Sequence, residues 1–187
     1  NYNHWLFTSS MGIGNAMRTN NANDKWGFGS AGMVSFDDDG YTVGTHQGVN
    51  KSGDHMVGWT FRNSKAFQQL TYEGTGSAQN IPHSLGSIPG MVIVKNIDSS
   101  STNWSVYHRE LGTGKFILLN STAGASTTNV ADYWNNTAAT ATQFTVGGGN
   151  DVNKDGDTYI AYLFAGGEST AATAVSVDFT GYVNGSD

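Results

Sequence analysis

Asp151-Val152-Asn153-Lys154-Asp155-Gly156 is the stretch whose residue types and spacing come nearest to chemistry. It matches the opening of a calcium loop, D-x-N-x-D-G, in which alternate side chains present oxygens around a glycine turn. Asp151, Asn153 and Asp155 are therefore the candidate ligands of a calcium ion, and no other cofactor is expected. The bidentate glutamate that closes such a loop would fall at position 162, where the chain has Tyr162. The competing reading is a polar Asn/Asp-Gly turn that bounds a strand.

A second candidate is a surface of aromatic rings. Trp26, Phe28, Tyr133 and Trp134 lie among glycines and asparagines, in stretches that read as loops. Exposed rings among amides can stack on sugars, which have apolar faces and hydroxyl edges, so these four are candidate glycan or receptor contacts. Their alternative role is to cap a hydrophobic core. Other groupings carry less. Gly27-Phe28-Gly29-Ser30-Ala31-Gly32 fits G-x-G-x-x-G, but no helix and no βαβ unit accompanies it, which argues against a nucleotide. His108, Arg109 and Glu110 form the one close acid-base grouping and read as a solvated strand end. Asp37-Asp38-Asp39-Gly40 reads as a turn. No catalytic motif is found, and the chain is expected not to be an enzyme.

The elements that must position these residues recur. Val152 to Asp157 followed by Thr158 to Phe164 has an earlier counterpart in Val49 to Asp54 followed by His55 to Phe61, at a displacement of 103. In the earlier copy the first and fifth loop positions are Gly48 and Ser52, so the carboxylates are gone while the turn remains. Tyr41-Thr42-Val43 and Phe144-Thr145-Val146 share the displacement of 103, Trp5 and Trp104 pair at 99, and Trp26 and Trp134 at 108. This pattern predicts tandem related repeats. Residues 1–66 are expected to be the C-terminal half of a first β-sandwich repeat, 67–167 a complete repeat, and 168–187 the opening strand of a following one. The sequence then reads as a window cut from a longer array.

Short runs rich in aromatic and β-branched residues, divided by Gly, Asn and Asp, predict an all-β fold, an antiparallel β-sandwich of jelly-roll or immunoglobulin-like type. Met91 to Lys95 is the cleanest buried strand, Val175 to Phe179 closes the series, and no stretch has a helical period of useful length. Side chains alternate along a strand. Ile160, Tyr162 and Phe164, with Val57, Trp59 and Phe61 of the earlier copy, are all large and apolar. They are expected in the core. The alternate face, Tyr159, Ala161 and Leu163, is expected under a looser cover.

The totals bound the partners. A net charge of −6 without basic clusters argues against nucleic acid. No run of eighteen apolar residues reads as a membrane span. The absence of cysteine excludes disulfides, thiolate metal sites and thiol nucleophiles.

Tyr72-Glu73-Gly74-Thr75-Gly76, His83 to Lys95, and Trp104-Ser105-Val106-Tyr107-His108-Arg109 together resemble a β-rich repeat of bacteriophage virion proteins, best known in tail fibres and related appendages of marine phages, including those of cyanobacteria. Leu118 to Thr122, Phe144 to Gly147 and Tyr159 to Ala165 continue the likeness, and Trp5 to Phe61 follows it as a diverged half-unit lacking the Tyr-His-Arg segment. The resemblance implies a structural or adhesive virion component, a trimeric fibre or an appendage. Its partners would be copies of itself, other virion proteins and host surface polysaccharide. It supplies no catalytic residues. The alternatives are a lectin-like module of a secreted protein and, more remotely, a polysaccharide-degrading tailspike enzyme.

Overall fold

The computed structural model describes residues 3–166. The strand expected at Val175 to Phe179, and the unit assigned to 168–187, lie outside the described residues. The strands are β1 (Trp5–Leu6), β2 (Asn15–Arg18), β3 (Trp26–Gly27), β4 (Met33–Phe36), β5 (Tyr41–Val43), β6 (Phe67–Glu73), β7 (Gln79–Pro82), β8 (Pro89–Asn96), β9 (Ser105–His108), β10 (Ile117–Leu118), β11 (Gln143–Val146) and β12 (Thr158–Ala165). Two short helices, α1 (Val130–Trp134) and α2 (Asn150–Asn153), interrupt them. Four or five residues cannot show a helical period, so neither helix is legible in the residue pattern.

All strand pairs are antiparallel, in a five-stranded sheet ordered β10-β9-β8-β12-β6 and smaller sheets β1-β2-β3, β7-β11 and β4-β5. β12 is an inner strand of the large sheet, hydrogen-bonded to β8 on one edge and to β6 on the other. One of its faces puts Tyr159, Ala161 and Leu163 with Val92 and Val94 of β8, against Ile81 of β7, Phe144 and Val146 of β11, Trp134 of α1 and Val152 of α2. The other puts Ile160, Tyr162 and Phe164 with Ile93 against Leu6, Met11 and Met17 of the N-terminal segment, together with Ile97 and Trp104. The face expected to be loosely covered is the tighter one, since Tyr159, Ala161 and Leu163 are fully buried. Two short strands and two helices seal it.

A set of contacts recurs at nearly constant displacement. Trp5 faces Arg18 and Leu6 faces Met17 across β1–β2, while Ser105 faces Leu118 and Val106 faces Ile117 across β9–β10. The Asn20 side chain accepts from the His4 N–H at 3.3 Å and donates to Asn3 Oδ1 at 3.2 Å. One hundred residues on, Asn120 accepts from the Trp104 N–H at 2.9 Å and donates to Asn103 Oδ1 at 3.0 Å. Later the offset settles at 103. The Asn50 amide donates to Gly44 O at 3.0 Å and the Asn153 amide to Gly147 O at 2.6 Å. The Asp54 N–H bonds Lys51 O at 3.2 Å, as Asp157 bonds Lys154. Lys51–Asp54 and Lys154–Asp157 ion pairs both measure 3.0 Å. Gly53 and Gly156, at φ 81° and 76°, supply the left-handed residue each turn needs.

This geometry corrects three expectations. At an offset of 100 the counterpart of Trp104 is His4, not Trp5. Trp26, opposite Ala16, corresponds to Ser126, opposite Phe116, and not to Trp134. The larger correction concerns the core. Ile160 and Tyr162 are buried and Phe164 packs half-buried beside them, but Val57, Trp59 and Phe61 are 86%, 83% and 58% exposed. Residues 55–61 form no strand. A strand is held by its neighbours' hydrogen bonds, and among the described residues nothing stands beside 55–61 as β6 and β8 stand beside β12.

Candidate functional site

The calcium-like loop is a clamp between elements. Asp151, in α2, accepts from the Asn103 N–H at 2.9 Å and side-chain amide at 3.3 Å, and from the Tyr133 hydroxyl at 3.0 Å. Burial first, then the Asp151 carboxylate, pushes the Tyr133 hydroxyl well above its ordinary range. Asn153 is fully buried. Its oxygen accepts from Thr75 N at 2.9 Å and Gln79 Nε2 at 2.7 Å, and its amide donates to Ser77 O and Gly147 O at 2.6 Å each. Asp155 is exposed. The oxygens of Asp151 and Asn153 thus hold neighbouring loops together. Among the described residues no group of three or more His, Asp or Glu side chains is placed to hold a metal ion.

The four aromatic candidates are not brought together. Phe28 is nearly buried, with ring centroids 4.5 Å from Trp5, 5.7 Å from Phe7 and 4.5 Å from His46. Trp134 is buried, edge-on to Tyr107 at 5.8 Å. Tyr133 is half-buried, stacked 3.7 Å from Phe116 with its hydroxyl engaged by Asp151. Large rings beside a small core fill it, and here three of the four do so.

Trp26 alone of the four stands out to solvent, at 52% exposure. Its platform is built by the register of β1-β2-β3. Arg18, paired with Trp5 across β1–β2, carries its guanidinium 5.0 Å from the ring centroids of both Trp5 and Trp26. Such a sandwich fixes the rings by cation–π attraction. Arg18 Nε is buried without a hydrogen-bond partner. Beside it Lys25 bridges to Asp98 at 2.7 Å. Partial burial pushes the Asp98 carboxyl up, but hydrogen bonds from Lys25 and Thr158 outweigh this and hold it below the usual range. The result is a half-exposed indole held by Arg18 and joined in space by no other ring of the four candidates, with a charge pair at the neighbouring residue. Such a face can stack on a flat apolar surface such as that of a sugar ring. Arg18 is not legible in the sequence, because a lone arginine eight residues from a tryptophan carries no signal until strands pair.

The His108 ring nitrogen Nδ1 accepts from the Glu110 N–H at 3.3 Å, and Arg109 pairs with Glu110 at 3.3 Å on a single-turn helix over Arg109–Leu111. This is the geometry of a strand-end cap. Lys95 is the surprise, fully buried at the end of β8, with its ammonium donating to Asn96 O at 2.6 Å and Thr102 Oγ1 at 3.1 Å. Burial lowers its pKa to about 8, against the opposing pull of Asp151 and Asp24.

No curated protein and no solved structure matches this chain. Residues 1–175 match one family across both sets of recurring contacts, and the chain belongs to that family, described as a domain of unknown function, DUF7483.

Proposed function

We propose that this chain is a non-catalytic structural segment of a virion appendage such as a tail fibre, built from tandem related β-sandwich units and serving as a spacer or host-surface binder. The observation that carries the reading is the recurrence, 100 to 103 residues apart, of side-chain clamps such as Asn20 and Asn120 or Asn50 and Asn153. Duplicated units that pack on one another suit an extended object, since stacked repeats give length without elaborate cores. Here Leu6, Met11 and Met17 of the first unit lie against Tyr162 and Ile160 of the second, and Trp104 donates its indole N–H to Arg18 O and Asn21 O at 3.1 Å each. The likeness of Tyr72 to Ala165 to phage fibre repeats supports the setting. In it, symmetry-related copies would multiply weak contacts.

Antibodies against the chain should decorate the appendages of purified phage particles in electron micrographs. Labelling confined to host-cell or secreted material would overturn the virion assignment. A second reading, a lectin-like module, is favoured by the Trp5–Arg18–Trp26 stack. A glycan array separates the two roles: a binder loses its signal in Trp26→Ala, and a pure spacer shows none in either protein.

A further inference from the structure

The exposed segment 55–61 is an apolar face without a cover, and the second unit shows what covers it there. Its entry turn is the same. The Asn50 and Asn153 amides bond equivalent glycine carbonyls, the Val49 and Val152 N–H groups bond the His46 and Gly149 carbonyls at 3.0 Å each, and the Lys–Asp pairs match in length. After that turn the second unit continues as β12, with Ile160, Tyr162 and Phe164 on one face. The first continues as Val57, Trp59 and Phe61 in the same positions, all exposed. In the second unit Tyr162 faces Ile93, Ala161 faces Val94 and Leu163 faces Val92 across β8.

We propose that residues 55–61 are a strand-docking site, which accepts an extended apolar strand of the β8 type by main-chain pairing. The proposal rests on the duplicated-unit reading of the chain but not on its virion setting. Transferring the β12–β8 register by 103 residues sets Trp59 opposite the position of Ile93, Gly58 opposite Val94 and Thr60 opposite Val92. Strand addition of this kind takes its affinity from backbone hydrogen bonds and its specificity from alternate side chains. The site is also poised to order. Phe61 already rests 5.2 Å from Phe67 and 5.9 Å from Phe164, so one end of the segment is anchored on the large sheet.

The test uses the full chain and a fluorescent peptide of residues 87–98. We expect saturable binding by anisotropy, weakened at least tenfold by Trp59→Asp in the chain or Ile93→Asp in the peptide, and unchanged by Trp26→Ala. The chain contains no cysteine, so register can be read by disulfide trapping. Thr60→Cys should capture the Val92→Cys peptide in preference to the Val94→Cys peptide, because directly opposed residues lie within disulfide reach. Absence of binding, equal binding by Trp59→Asp, or capture at the shifted position overturns the proposal. So does a chain that dimerises alone through 55–61 and excludes the peptide, which would make a second copy the occupant. Peptide capture with unlabelled phage particles would sink the virion setting and leave the docking site standing.

Discussion

Residues 49–61 and 152–164 begin alike and end differently. Both enter through a turn whose asparagine clamps a glycine carbonyl, whose Lys–Asp pair closes at 3.0 Å and whose glycine takes a left-handed conformation. Past the turn, Tyr159 to Leu163 is buried throughout while Val57 and Trp59 stand in solvent. The difference lies in range. The turn's hydrogen bonds join residues close in sequence and form wherever those residues occur. The strand's bonds join it to β6 and β8, and a strand without neighbours leaves its backbone to water.

The sharpest way to break the comparison is to truncate equivalent rings. Tyr162→Ala removes a ring from the packed interface with Met11, Met17 and Trp104 and should cost about 3–5 kcal/mol in urea unfolding. Trp59→Ala, at an 83% exposed position, should change stability by less than about 0.5 kcal/mol. Equal losses would mean that 55–61 packs as β12 does. The two asparagines come next. Asn153→Ala strips partners from Thr75, Gln79, Ser77 and Gly147 inside the protein and should cost about 3 kcal/mol. Asn50→Ala, exposed and making one such bond, should cost about 1 kcal/mol or less by the same measurement.

Lys95, near the end of β8, makes a smaller, pH-dependent difference. Its pKa is lowered in the folded state to about 8, so between pH 8 and its ordinary value of 10.5 the unfolded chain binds more protons. Stability should therefore rise with pH in that window, by up to about 2 kcal/mol from pH 8 to 9.5. Lys95→Met should flatten this slope in thermal melts taken across the range. Burial raises Tyr72, Tyr159 and Tyr162, whose protons the folded state retains, so stability should turn down as pH climbs past 10. Trp26→Ala should have the smallest effect on stability, within about 0.5 kcal/mol, because half the ring is already in water.

Much of this was legible because it is local. The all-β character followed from short β-branched and aromatic runs, β8 from Met91 to Lys95, and the shared turn from Asn-Lys and Gly-Asp at the same spacing. The aromatic site was half legible. Glycines and asparagines around Phe28 and Trp134 suggested surface loops, yet both rings turn inward because small antiparallel sheets leave space that large side chains fill. Arg18, which completes the platform under Trp26, became visible only through the β1–β2–β3 register. Lys95 sat at the end of an apolar run, and nothing in its neighbours foretold complete burial.

The sequence by itself determined the turns, the alternation of each strand and the offset between related stretches, since these depend on residues a few positions apart. Only the tertiary structure decided which apolar strand is buried, which tryptophan meets solvent and which carboxylate is occupied by donors. Those outcomes depend on partners many residues away. Burial is a property of the pair of surfaces that meet, and one strand's sequence describes a single surface of the two.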